Sequence, residues 1–134
     1  MIKKHLLLFK YGGNAMTNQL LKKQVLKNIC DLKDKGYQVV IVHGGGPFIQ
    51  IVIAKKRLHQ QIKNGKAEMV DLGQVGDVES VNVTLIELLL DNDFIPVITC
   101  IASDKNGNDY NINGDLFAGH IAGALSAEQY IILT

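Results

Sequence analysis

The chain has 134 residues, and 14 Lys and Arg stand against 13 Asp and Glu for a formal charge of +1, so it lacks the basic footprint of a dedicated nucleic-acid or anionic-membrane binder. Hydrophobic residues make up 47%, which argues against disorder and for a packed core. No apolar run approaches the ~20 residues of a membrane span. No long apolar stretch opens the N-terminus, and the only two cysteines, Cys30 and Cys100, read as small reduced core residues of a cytoplasmic domain.

Leu6-Leu7-Leu8-Phe9 is a continuous apolar run that ends at Lys10 before Gly12-Gly13. It reads as a strand buried on both faces and running into a glycine turn. Thr17 or Asn18 can cap a helix reaching about Lys35, with Leu21, Val25, Ile29 and Leu32 at helical spacing and Gly36 as its stop. Val39-Val40-Ile41-Val42 is a second buried strand, delivered into Gly44-Gly45-Gly46. Pro47 suits the first turn of another helix, expected to turn Phe48, Ile51, Val52 and Leu58 inward.

Between Gln60 and Asp71 the pattern is weak and polar. Residues 71–78, with Gly73 and Gly76 among alternating apolar positions, suggest a small hairpin. Asn82 can cap a helix through Leu90, and Ile95-Pro96-Val97-Ile98 reads as a strand that begins at its proline. Asn106-Gly107 is a hairpin-turn signal. Asp115 opens a last helix with Phe117, Ile121 and Leu125 inward, and Gly119, Ala122, Gly123 and Ala124 leave room for a close neighbour. Residues 130–133 form a final buried strand. Strands alternating with glycine turns and helices indicate an α/β layer on a parallel sheet, whose carboxyl edge carries the functional loops.

Consecutive glycines after a buried strand let backbone N–H groups approach an anion, and a following helix adds its positive end. Lys10 supplies a cation at the same edge. A phosphate site and a pair of tight βα turns remain equal alternatives on spacing alone. The Walker pattern is absent, and Ile49 stands where a dinucleotide fingerprint starting at Gly44 needs its third glycine. His43-Gly44-Gly45-Gly46 looks like an esterase oxyanion loop, but there is no nucleophile elbow. Gly73-Gln74-Val75-Gly76 matches a G-x-x-G RNA loop only superficially. The four histidines lack metal spacing: His43 reads as a packing residue, His5 and His59 as surface residues, His120 as part of the last helix. Asn111-Ile112-Asn113-Gly114-Asp115 fits a helix cap best. The functional alternative has Asn111 bonding a polar ligand and Asp115 orienting a lysine.

Taken together, Lys10-Tyr11-Gly12-Gly13-Asn14-Ala15-Met16, Val42-His43-Gly44-Gly45-Gly46-Pro47, Asp71-Leu72-Gly73 with Val75-Gly76, and Tyr110-Asn111-Ile112-Asn113 with Asp115 closely resemble the acetylglutamate kinases of the amino-acid kinase family. The likeness runs in the family's order through nearly the whole chain, except about residues 55–69. The resemblance implies a three-layer α/β/α sandwich with a mainly parallel central sheet, here incomplete. Residues 1–134 would form its N-terminal, acceptor-binding part, with a segment missing within about 55–70. It implies transfer of the ATP γ-phosphoryl group to the side-chain carboxylate of N-acetyl-L-glutamate, in arginine biosynthesis, with Mg2+ held through the nucleotide phosphates.

By the same resemblance, Lys10 stabilises charge on the transferring phosphoryl group and Asp115 orients the catalytic lysines. Gly12, Gly13 and Gly45 cradle phosphate, Gly45, Gly46 and Asn111 hold the acceptor, and Gly44 and Asn113 support the loops. The family pattern also includes a nucleotide-binding half with a second lysine, and an acceptor-gripping arginine in a Gly-Leu-Arg motif. None of these has a counterpart here, so a chain ending at Thr134 is expected to be inactive alone. Gly114 stands where the family usually has alanine, which should relax that loop slightly. With nine residues before Lys10, a homodimer with little direct arginine inhibition is expected. The alternatives are a non-catalytic substrate-binding or regulatory fragment and a related kinase for another acyl acceptor.

Overall fold

The computed structural model describes residues 5–12, 17–43, 52–63 and 66–134, with side chains described for 5–12, 17–43 and 76–134. The first apolar run forms β1 (Leu6–Tyr11). It pairs in parallel with β2 (Gln38–His43) on one side and β8 (Gln129–Leu133) on the other, and β2 in turn pairs in parallel with β5 (Val97–Thr99). The sheet order is β5-β2-β1-β8. Alternation along β1 explains its unbroken hydrophobicity. Leu6 and Leu8 join one buried cluster with Val40, Val42, Ile98 and Phe117; Leu7, Phe9 and Tyr11 join the other with Ile29, Val39 and Ile41. The sheet therefore has helices on both faces, as the sequence suggested: α1 (Gln19–Asp34) on one, α2 (Thr84–Asp91) and α3 (Gly114–Ala124) on the other.

All three helices stop in the same way before the next parallel strand. After α1, Gly36 at φ +101° donates to the Lys33 carbonyl and Tyr37 N–H reaches back to Leu32. Asp93 (φ 63°) and Phe94 repeat this after α2, and Ser126 (φ 53°) and Ala127 after α3. Each is a left-handed residue closing the last carbonyls. Glycine announces only the first of the three stops.

Four further strands make a second sheet that closes on itself in the order β3-β4-β7-β6. Here the structure corrects two expectations. Residues 52–58, expected in a helix, lie in β3 (Val52–Lys63), and residues 71–78, expected as a hairpin, lie inside the single long strand β4 (Lys66–Val81). β3 and β4 pair antiparallel from Val52↔Val81 to Lys63↔Lys66, with register irregularities at Ile53/Ala54 and Lys56/Leu58. Pairing across strands outweighed the local helical spacing. Pro47, Phe48 and Ile51 lie outside the described residues. The Asn106-Gly107 turn joins β6 (Ile101–Ser103) to β7 (Asp109–Ile112) as expected, with Gly107 at φ +84°.

Three smaller corrections follow from geometry. Cys30 is exposed: it lies one residue, about 100° of helix, beyond the buried Ile29. Cys100 is partly buried against the core. β8 is a sheet edge and only partly covered, with Tyr130 and Ile132 exposed; its composition resembles a buried strand, but only β1 flanks it. Among the described residues no helix is long and apolar enough to cross a membrane.

Candidate active site at the carboxyl edge of the sheet

Parallel pairing of β1 with β2 puts their carboxyl ends side by side, so Gly12 and His43 stand at the same edge. Gly12 extends the sheet by donating to the Leu133 carbonyl at 3.2 Å. Lys10 shares the strand face of Leu6 and Leu8, the face covered by α3. Its Nζ lies 3.1 Å from Asp115 Oδ1, with the lysine side chain 21% and the aspartate 55% exposed.

Asp115 is held there by the start of α3. Asn113 is the cap: its side-chain oxygen accepts from the N–H groups of Asp115 (3.0 Å) and Leu116 (3.1 Å). Helix α3 itself begins at Gly114, one residue before the expected Asp115. A carboxylate in the first turn also suits the positive end of the helix. Glycines flank the lysine on both sides. A Cβ at Gly12 would sit 3.5 Å from Lys10 Nζ, and one at Gly114 only 3.1 Å from Lys10 Cε. The lysine stem thus runs between two backbones that carry no side chain, and its ammonium, paired with one carboxylate, lies beside Gly12. A cation, a helix N-terminus and the open backbone of Gly12 at one edge make an arrangement able to receive an anionic group.

The structure therefore brings together Lys10, Gly12, Asn113 and Asp115. Asn111 stands exposed on β7, two residues before the cap, and accordingly off the buried face of Tyr110 and Ile112. Gly13, Gly44, Gly45 and Gly46 lie outside the described residues. Two contributors had no signal in the local sequence. Gly114 makes room for Lys10, and Tyr130 donates its hydroxyl to the Asp115 carbonyl at 2.8 Å. The room expected along α3 is used at Gly119, where a Cβ would lie 3.5 Å from the Tyr130 ring, but not at Gly123, which has nothing within 4 Å.

His43 and Thr99 are register partners at the same edge but on the opposite face, that of Ile41. Their Nδ1 and Oγ1 atoms are buried without hydrogen-bond partners. His5 and His120 are exposed. Among the described residues no three of His, Cys, Asp and Glu gather as metal ligands.

Comparison with known proteins identifies the family. The amino acid kinase family model matches residues 5–75 and 59–134, two stretches that overlap. Acetylglutamate kinase of Methanococcus maripaludis is 32% identical over 186 aligned residues, covering 95% of this chain and 63% of that enzyme. The Porphyra purpurea enzyme of the same name is 33% identical over 178 residues, with 96% and 63% covered. Among solved structures, N-acetylglutamate synthase from Neisseria gonorrhoeae, complexed with coenzyme A and N-acetyl-glutamate, superimposes with a TM-score of 0.77 at 15% identity over 97% of this chain and 41% of that one. A Streptococcus mutans protein does so with 0.71 at 23% identity, over 96% and 72%. These two likenesses concern the fold. The chain spans about 63% of the length of the curated relatives it matches. On the family match across both halves and the identity to its relatives, the chain belongs to the amino acid kinase family.

Proposed function

We propose that this chain is the acceptor-binding part of a phosphotransferase that moves the γ-phosphoryl group of ATP to the side-chain carboxylate of N-acetyl-L-glutamate. Family membership and relatives named acetylglutamate kinase support a kinase. The observation that carries the reading is the Lys10–Asp115 pair beside Gly12 at the carboxyl edge. In such a transfer an acceptor carboxylate oxygen bonds to the γ-phosphorus while the bond to the ADP oxygen breaks. Negative charge spreads over the transferring group, and catalysis is mostly positioning and electrostatic stabilisation. Lys10 would meet that charge, held by Asp115, while Gly12, Gly13 and Gly45 offer N–H groups. Gly45, Gly46 and Asn111 would hold the acceptor. Magnesium belongs to the proposal as a companion of ATP on its phosphates, and no residue of this chain is assigned to it. A homodimer in the cytoplasm completes it, on the strength of the resemblance.

The proposal includes a missing internal segment near residues 55–70. Its support is that alignments of 178 and 186 residues are needed to cover a chain of 134, and that the two family matches overlap at 59–75. The intact mass tests this: 14.7 kDa fits the chain as written, a much larger mass a longer protein.

The functional test is Lys10→Ala in the full-length protein, assayed with ATP and acetylglutamate. Loss of a charge-stabilising cation should cost on the order of 3–4 kcal/mol of barrier, read in turnover far more than in acceptor affinity. Unchanged turnover removes Lys10 from the chemistry. The second reading, a substrate-binding fragment without ATP chemistry, is favoured by the partial coverage of the relatives. It expects acceptor binding with no phosphorylated product.

A further inference from the structure

Tyr130 differs from the rest of its strand. Ile131, Ile132 and Leu133 follow it in β8, and packing an aliphatic strand needs no phenol. Register sets Tyr130 beside Leu8 and Ile132 beside Lys10. Residues two apart on a strand share a face, so Tyr130 and Lys10 rise from the same side of the sheet, under α3. They converge on one residue. Lys10 takes the Asp115 carboxylate at 3.1 Å, and the Tyr130 hydroxyl donates to the Asp115 main-chain carbonyl at 2.8 Å.

A carbonyl oxygen has two lone pairs, so this bond can add to the helix ladder without replacing a rung. The ring closes on the helix at Gly119, where a Cβ would sit in ordinary van der Waals contact with it, 3.5 Å from Cε2. Burial, and then the charge of Asp115, raise the phenol above its usual pKa of 10.0. The hydroxyl is therefore a proton-bearing donor throughout the neutral range.

We propose that Tyr130 is a positioning residue for Lys10: by tying the first turn of α3 to β8 through the Asp115 carbonyl, it fixes the Asp115 carboxylate and through it the lysine ammonium. The inference rests on the reading of Lys10 and Asp115 as a functional pair. An ammonium placed by one exposed carboxylate alone wanders with that carboxylate's rotamers, because a half-exposed ion pair is weak. A tether on the main chain of the same residue removes that freedom at its base.

The test measures acetylation of Lys10 by acetic anhydride, followed by mass spectrometry, with the other lysines as internal references. The chain is compared as wild type, Tyr130→Phe, Asp115→Asn and the double variant. A paired ammonium must leave its partner before its nitrogen can attack, so Asp115→Asn should speed labelling of Lys10. Tyr130→Phe keeps the ring and removes only the hydroxyl. It should speed Lys10 labelling on the order of two- to tenfold, the weight of one ordinary hydrogen bond, and leave Lys105 unchanged. In the double variant it should add nothing beyond Asp115→Asn, a coupling that a purely structural role would not produce. If Asp115→Asn accelerates labelling and Tyr130→Phe does not, the pair stands and the role of Tyr130 is overturned. If Tyr130→Phe accelerates all lysines alike, or adds fully to Asp115→Asn, the hydroxyl serves the fold alone and the proposal fails. If neither variant changes Lys10, the pair does not form in solution, and the reading of the site falls together with the tether.

Discussion

Gly114 lies directly against Lys10: a methyl group built on it would come within 3.1 Å of the lysine Cε. The absent side chain gives the lysine more room. The neighbour that must yield is a stretch of flexible side chain, not backbone. Replacing glycine by alanine also stiffens the unfolded chain. Gly114→Ala should therefore raise the free energy of unfolding in urea by up to about 1 kcal/mol, with the lysine displaced by a few tenths of an ångström. A loss of stability would mean that Asp115 holds Lys10 too firmly to move.

Ser126 ends α3 in the left-handed region at φ 53°. Its N–H still closes the helix on Gly123 at 3.1 Å, a bond that glycine keeps. A non-glycine residue there costs roughly 1 kcal/mol or more. Ser126→Gly should recover about 1 kcal/mol, less the added freedom of the unfolded glycine. Urea denaturation at constant slope is the measurement.

Asn113 caps two N–H groups of α3 through a single oxygen. Asn113→Ala should lose about 1 kcal/mol of stability, whereas Asn113→Asp should retain it, because either residue caps well. If both variants lose equally, the bonds from Asp115 and Leu116 contribute little and the cap is not the reason for asparagine here.

Asp104 organises the turn between β6 and β7. It accepts from the N–H groups of Asn106 and Asn108, both at 2.9 Å, and from the Asn108 amide and the Tyr110 hydroxyl, both at 3.1 Å. The main-chain bond from Asn108 is the foremost cause that holds its pKa below 3.8. A carboxyl group with a lower pKa folded than unfolded adds stability above the unfolded value and loses it as pH falls through the folded one. The melting-temperature gap between wild type and Asp104→Ala should thus be constant down to about pH 5 and close below it. A gap that persists undiminished in strong acid would assign the effect to the turn's packing and not to the carboxylate.

Much of the central layer was legible because its signals are local. The runs in β1 and β2 announce burial on two faces, Asn18 caps α1 with a 3.0 Å bond from Leu21 N–H, and Gly36 takes the left-handed position after it. The Lys10–Asp115 pair was legible locally only as the less favoured alternative to a helix cap, and more directly through the resemblance. No local pattern links a strand end to a helix start 105 residues later, and the cap reading of residues 111–115 was also correct, since Asn113 caps and Asp115 faces the lysine at once. Tyr130 left no trace in the sequence, as its partner is a main-chain carbonyl.

The sequence by itself determined the caps of α1 and α3, the stop after α1 and the burial of β1 and β2 on both sides, because capping, glycine conformations and alternation act between near neighbours. Tertiary structure decided the rest. Residues 52–63 and 66–81 became two long paired strands because each satisfies the other's backbone groups, although the local spacing suggested a helix and a small hairpin. β8 became an exposed edge because, among the described residues, β1 alone pairs with it. Lys10 met Asp115 where two backbones without side chains and one capped helix come together around it. That meeting depends on where α3 crosses the sheet, a relation carried by packing between distant segments.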